Sequence, residues 1–193
     1  MQRCCYGTHL VEEFLLNEQV DVGVDKGVIM ISYIEHPSPV GILLIAATDN
    51  GICGIYFEEH KHFKGKDGWQ AAMELSAASQ HLQRTAQQLD EYFSGKRTEF
   101  DVSLDLAGTD FQRSVWQELS AIPFGKSVSY AQHAQRLGNP KALRAVGSAI
   151  GKNPISIIVP CHRVIGSSGA VTGYAGGLER KRFLLALEDI AVN

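Results

Sequence analysis

Helix boundaries are punctuated more densely between Thr109 and Gly151 than elsewhere in the chain, and they restrict what this stretch can fold into. Thr109 with Gln112, and Ser129 with Gln132, each form a capping box, in which the hydroxyl accepts from the N3 amide and the Gln side chain reaches back to the cap. The first predicts a helix through about Leu119, punctuated by Pro123 and Gly125. The second predicts a short helix over 130–137 that stops at Gly138, a residue suited to the left-handed cap. Asn139 is a good N-cap and Pro140 suits the first helical position, so another helix is expected over 140–150. Two short helices joined by a tight turn are helix-turn-helix grammar.

In the second of these helices Leu143, Val146 and Ile150 recur as a buried stripe. Lys141, Arg144 and Lys152 fall close to one face, where Gly147, Ser148 and Gly151 let another backbone approach. A basic face with small residues suits phosphate contact. It equally describes a solvated helix between two core helices, a common arrangement in ordinary proteins.

The first half reads differently. Val28–Ile34 and Ile42–Thr48 are expected strands on either side of Pro37-Ser38-Pro39, and Asp49-Asn50-Gly51 is a hairpin signal before a third strand, Ile52–Phe57. His60–Gly68 is a polar loop, Ala71–Phe93 reads as one or two helices ended by Gly95, and Phe100–Leu106 alternates as a last strand. A short helix is expected at His9–Leu16. The class is therefore α+β: an N-terminal extension over 1–26, a small antiparallel-sheet domain with a helix over 27–106, and a mainly helical domain over 107–193.

Such a chain of 193 residues, 45% hydrophobic and 20% charged, can bury a real core as one domain or two small ones. No apolar run is long enough to span a membrane and no secretory leader pattern opens the chain, so a cytoplasmic protein (nuclear if eukaryotic) is expected. A net charge of -3 argues against a nucleic-acid partner, but it is unevenly distributed. Residues 1–105 carry 8 Lys+Arg and 16 Asp+Glu, whereas residues 106–193 carry 10 and 5. Either the second module meets a polyanion, or one face of the fold is simply more acidic. Of the four cysteines, Cys4 and Cys5 are adjacent and badly placed for a structural disulfide, and Cys53 reads as a small buried hydrophobe in a strand. Cys4, Cys5 and His9 offer three metal ligands with no evident fourth, so no metal is expected.

Cys161 differs in context. It follows an apolar run, Ile155–Val159, and Pro160, and it precedes a Gly/Ser-rich loop, Gly166–Gly177, that contains Tyr174. A free thiol is only a few per cent ionised at neutral pH, so a nucleophilic Cys161 needs a base or a positive neighbour. His162 is the adjacent base, Arg163 adds positive charge, and Glu188 on the terminal helix Leu178–Glu188 is a candidate orienting carboxylate. The alternative is an inert buried thiol beside a surface histidine.

The run Asn153-Pro154-Ile155-Ser156-Ile157-Ile158-Val159-Pro160-Cys161-His162-Arg163-Val164 resembles the signature of the O6-alkylguanine-DNA alkyltransferases. Val128-Ser129-Tyr130, Gly138-Asn139-Pro140-Lys141, Arg144-Ala145-Val146-Gly147 and the segment Gly169–Gly177 are similar too. The resemblance is strong over about 108–188 and weaker over 27–106, where it implies a ribonuclease-H-like sheet domain. It implies a single-turnover repair protein that moves the O6 alkyl group of a guanine, flipped from duplex DNA, onto Cys161. His162 would take the thiol proton through a water, Glu188 would stabilise the imidazolium, Asn153 would order the site, and Tyr130 would donate to the leaving oxygen. Arg144 would enter the base stack, with Lys141, Gly147, Ser148, Lys152 and Arg163 also on DNA, from the minor groove. Tyr130, Val164, Tyr174, Ala175 and Gly176 would line the pocket. The implied partner is double-stranded DNA, no cofactor is needed, and a monomer is expected. Leu143 and Ala175 depart from residues common in the family, a structural zinc found in some relatives has no matching ligands here, and residues 1–26 match nothing. Cys161 itself argues against the non-enzymatic relatives, in which the acceptor is replaced. A thiol hydrolase would need an oxyanion hole that the sequence does not reveal. A transcriptional helix-turn-helix protein with an incidental cysteine is the remaining alternative.

Overall fold

A computed structural model describes residues 30–73 and 76–193. The expected helix at His9–Leu16 and the cluster of Cys4, Cys5 and His9 lie outside the described residues. Strands β1 (Ser32–Ser38), β2 (Gly41–Thr48) and β3 (Gly51–Phe57) run antiparallel, and the short β4 (Gln70–Ala71) adds parallel to β1, giving the order β3-β2-β1-β4. The tight turn at Asp49-Asn50 is the predicted hairpin, with Thr48 opposite Gly51. Helix α1 (Ala77–Phe93) lies on this sheet, burying Leu82, Leu89 and Tyr92 in the same cluster as Leu43, Ile45, Ile55 and Phe57.

Several boundaries differ from the sequence reading. Among the described residues the first strand starts at Ser32 and includes Pro37 and Ser38, Val28 and Ile29 lying outside them; β4 pairs only with Ser32 and Tyr33, so beyond them β1 is an edge that tolerates a proline. The helix expected from Ala71 starts six residues later. Gln70 and Ala72 donate to the Ile31 and Tyr33 carbonyls, which holds that segment as strand, and the Ser76 side chain then caps α1 by accepting from Ser79 N. Cys53 is half-buried rather than buried, though burial still pushes its thiol up to about 11.

Phe100–Leu106 is not a full strand. Only Leu104 bridges to β3, beside Ile52, while Ile155 from the second half bridges to the same edge beside Ile55. Two segments divide one seven-residue edge, so neither extends. The consequence matters for function: Ile55 N donates to Pro154 O at 2.9 Å and Ser156 N to Ile55 O at 3.2 Å, bonding the approach to Cys161 onto the N-terminal sheet.

The second half contains α2 (Asp110–Ser120), β5 (Val128–Ser129), α3 (Tyr130–Arg136), α4 (Leu143–Gly151), a 3-10 turn at Cys161–Arg163, β6 (Val164–Ile165) and α5 (Leu178–Leu187). Both capping boxes form with both reciprocal bonds. Helix α4 starts three residues later than its Asn139-Pro140 signal indicated. Asn139 N is used to close α3, donating to Ala134 O across Gly138 in its left-handed conformation, a Schellman-type stop. Asn139 O then accepts from Ala142 N in a separate turn, and no side chain caps α4. Leu143, expected in the buried stripe, is 44% exposed; the stripe is Val146, Ala149 and Ile150, packed beside Val115, Trp116 and Leu119, with Trp116 Nε1 donating to Ala149 O at 2.9 Å. One continuous apolar cluster joins the sheet half to the helical half.

Candidate active site

The chain reaches Cys161 through a strained turn. Ile157 is fully buried with φ of 72°, a left-handed conformation that is an outlier for a β-branched residue. Its neighbours are fixed by Val159 N donating to Ile155 O at 3.1 Å and Ile158 N to Ser156 O at 2.9 Å. The buried Asn153 ties this turn from inside: Oδ1 accepts from Ile155 N at 3.1 Å, and Nδ2 donates to Val159 O at 2.8 Å and reaches Cys161 Sγ at 3.2 Å. The structure thus brings Asn153 and Cys161 together, eight residues apart in sequence.

Behind the thiol lies a buried ionic network. His162 Nε2 stands 2.8 Å from Glu188 Oε1, and both side chains are fully buried. Arg163 belongs to this network and not to a DNA-facing surface, which corrects the sequence expectation. Its Nε and Nη2 donate to Glu188 Oε2 and Oε1 at 2.8 and 3.0 Å, and its Nη1 donates to Ile122 O at 2.5 Å. The 3-10 turn buries all three side chains of Cys161–Arg163, with His162 and Arg163 converging on Glu188 while Cys161 Sγ stays with Asn153. Tyr92 of α1 adds a donor, its OH lying 2.7 Å from Glu188 Oε1, so the N-terminal half also reaches the carboxylate.

The charges follow from these contacts. Burial alone would raise the Glu188 carboxyl, but hydrogen bonds from His162 and Arg163 outweigh it and bring it down to about 2. Burial lowers His162 below its ordinary value, and Arg163 and Lys181 oppose a second positive charge there, so the resting imidazole is neutral and Arg163 is the cation that keeps Glu188 ionised. Burial raises the Cys161 thiol, while the Asn153 amide, Lys181 and the Cys161 and His162 backbone amides work against it. Lys181 is fully buried on α5, its Nζ donating to the carbonyls of Val164 at 2.6 Å and Thr172 at 2.7 Å; burial lowers its ammonium to about 8.

Glu188 also yields a test on stability. Its folded pKa lies below the ordinary 4.5, so its stabilisation is complete above that value and is lost as pH falls through about 2. Urea unfolding from pH 5 downwards is expected to show a loss on the order of 3 kcal/mol from this group, and Glu188→Gln is expected to remove that part of the slope.

Cys161 opens onto a cleft of about 520 Å³ lined by Tyr130, Gly147, Ser148 and Gly151 on one side and Gly173, Tyr174 and Ala175 on the other. The Tyr130 OH donates to the carbonyl of Thr172 at 3.3 Å, and Tyr174 packs on Phe57 of β3 with ring centroids 5.8 Å apart. Two expected lining residues are elsewhere. Gly176 backs onto the Phe57 ring, where a Cβ would come within 2.3 Å, and it does not face the cleft. The Val164 side chain is buried in β6; its carbonyl accepts from Lys181, which leaves one lone pair. Lys141, Arg144, Ser148 and Lys152 are exposed around α4.

Tyr92, Lys181 and Ile157 were not legible as functional positions. A signal existed for Lys181: it stands with Leu184, Leu185 and Glu188 at i, i+3, i+4 and i+7, and all four are buried. Charged residues on the apolar stripe of a helix mark a buried polar network. Tyr92 is a helical aromatic like any other until the fold brings it to a residue 96 positions away.

Residues 29–106 match the description "6-O-methylguanine DNA methyltransferase, ribonuclease-like domain", and residues 110–190 match "6-O-methylguanine DNA methyltransferase, DNA binding domain". The chain is 46% identical over 159 residues to a methylated-DNA–protein-cysteine methyltransferase of Mycolicibacterium paratuberculosis, covering 82% of this chain and 93% of the relative. It is 45% identical over 152 residues to a protein of the same name from Methanosarcina barkeri, covering 79% and 93%. Among solved structures, Mycobacterium tuberculosis OGT in complex with DNA superposes with a TM-score of 0.76 at 45% identity, covering 82% of this chain and 93% of that one. With both halves matched and the similarity extending over most of its length, the chain belongs to the 6-O-methylguanine DNA methyltransferase family.

Proposed function

We propose that the protein repairs DNA by transferring the alkyl group of O6-alkylguanine irreversibly to Cys161, one group per molecule. The observation that carries this reading is the buried thiol, held by Asn153 and backed by His162 and Glu188, at the floor of a cleft beside α4. In the transfer a sulfur–carbon bond forms as the carbon–O6 bond breaks. The thiol proton leaves to His162, whose Nδ1 is the ring nitrogen without a protein partner among the described residues, while Glu188 holds Nε2. Imidazolium then forms against an anionic carboxylate already in place, and guanine regains one proton overall. Tyr130 is positioned to donate to the departing oxygen once it releases the Thr172 carbonyl. Lys181 and the local amides stabilise the thiolate.

An O6 carbon stacked in a duplex is out of reach of a buried thiol, so the guanine is flipped into the cleft. In this reading α3, the 138–142 turn and α4 act as a helix-turn-helix lying along the minor groove, with Arg144 filling the stack and Lys141, Ser148 and Lys152 on the backbone. The segment 107–193 carries both the DNA-binding and acceptor functions, and 27–106 supports them through Ile55 and Tyr92. Nucleophile, base and orienting groups all belong to one chain, so a monomer suffices and the step asks for no cofactor. A reducing cytoplasmic or nuclear setting keeps Cys161 a thiol.

Incubation with a duplex carrying O6-methylguanine, followed by intact mass and peptide mapping, is expected to find one methyl per protein on Cys161 and none on Cys161→Ser. A transient adduct with continuing product release would instead indicate a hydrolase, and a methyl on another residue would overturn the assignment.

A further inference from the structure

We infer that Lys61 from the acidic N-terminal half, with its neighbour His62 as a neutral hydrogen-bonding group, forms with Lys152 a clamp for the phosphates of the strand whose base enters the cleft. This rests on the DNA-repair reading of the site, and it adds a binding element outside the helical half. Three of the eight Lys+Arg in residues 1–105 are Lys61, Lys64 and Lys66, so the basic charge of that half is concentrated in the turn after β3. Lys66 is committed to Glu35 at 2.9 Å and to the Tyr33 ring. Lys61 and His62 are exposed, line the mouth of the Cys161 cleft, and make no ion pair among the described residues.

The turn that presents them is fixed. His60 is buried beneath it, stacked near Phe57 and edge-on to Tyr56, and its backbone closes onto Phe57 and Phe63. Lys61 N donates to Ala175 O at 3.0 Å, attaching the turn to the opposite wall of the cleft. His62 faces the end of α4, its Nε2 3.9 Å from where a Cβ on Gly151 would stand; burial and the neighbouring charges of Lys61 and Lys152 hold its imidazole below its ordinary value, so it serves as a neutral donor. Among the described residues, no Asp or Glu lines this cleft. Two lysines with a neutral imidazole between them, at the rim of a cleft that takes a flipped nucleotide, are placed for the phosphodiesters flanking that nucleotide.

The test compares wild type, the double variant K61A/H62A and K61R. Transfer is followed by intact mass from an O6-methylguanine duplex and from free O6-benzylguanine, at several salt concentrations. Binding of the Cys161→Ser background to undamaged duplex is measured in parallel. The double variant is expected to lose about tenfold on duplex near 0.1 M salt, to lose less on the free base, and to show a salt slope for binding shallower by about one. K61R is expected to restore most of the duplex rate. Equal losses on both substrates, or an unchanged salt slope, would overturn the clamp. The slope is read without chemistry, so a wild type that took no methyl would fail the repair reading while the clamp was still tested.

Discussion

Arg163→Ala is expected to destabilise the protein by about 3–5 kcal/mol, the range for breaking a buried ion pair from one side. The Arg163 side chain is 7% exposed and Glu188 is not exposed at all. The guanidinium makes two hydrogen bonds to the carboxylate and a third to Ile122 O, and it lies 5.9 Å from the centre of the Phe124 ring. Among the described residues, truncation leaves Glu188 ionised in the interior with the Tyr92 hydroxyl, the neutral His162 ring and Gly125 N as its remaining partners. The Ile122 carbonyl loses its donor as well. Such a loss is a large part of the 5–15 kcal/mol that ordinarily separates folded from unfolded domains. Urea unfolding at neutral pH measures it. Pairing the change with a neutral partner, as in R163M/E188Q, is expected to recover part of the stability, because no uncompensated charge stays buried. A loss below about 1 kcal/mol for Arg163→Ala, or a double variant worse than the sum of its parts, would show that the network is not under this electrostatic constraint.

The same residue shows where sequence reasoning reaches its limit. Cys161, His162 and Glu188 were nameable because the chemistry of a thiol asks for a base and a base asks for a carboxylate. For Arg163 the residues suggest only positive charge beside Cys161, and the family resemblance implies a DNA contact that its burial on Glu188 excludes. Its direction is decided by the 3-10 turn, which no local pattern announces. The capping boxes at Thr109 and Ser129 were legible to the residue, since both partners of each bond lie within four positions. The start of α4 was not, because Gly138 and Asn139 served two signals at once and the α3 stop took them. Phe100–Leu106 alternated like a strand but had half an edge to pair with, and that edge was shared with a segment fifty residues away. Charge counting was sound in aggregate and misleading in detail: the acidic half holds Lys61 and His62 at the cleft, and the basic half buries Lys181 and Arg163.

His162→Gln is expected to slow alkyl transfer by about 10²–10⁴-fold at neutral pH, the usual contribution of a positioned general base. A glutamine amide can still donate to Glu188 across the site where Nε2 stands 2.8 Å from Oε1, so the buried carboxylate keeps a partner in that direction. What is removed is the neutral imidazole that, in the proposed reading, takes the thiol proton. Burial raises the thiol and lowers the imidazole, so in the wild type His162 stays a neutral base below its ordinary 6.5 while Cys161 remains protonated until substrate arrives. The wild-type rate should therefore hold to lower pH than an ordinary histidine would allow. In the variant deprotonation falls to solvent hydroxide, so the rate should climb steadily with pH and the gap between the two proteins should narrow in alkali. Quenched single-turnover time courses read by intact mass give both profiles, and urea unfolding separates a chemical defect from a folding one. A variant within about threefold of wild type at neutral pH, with a flat profile, would mean that Lys181, Asn153 and the backbone amides ionise Cys161 without a histidine base.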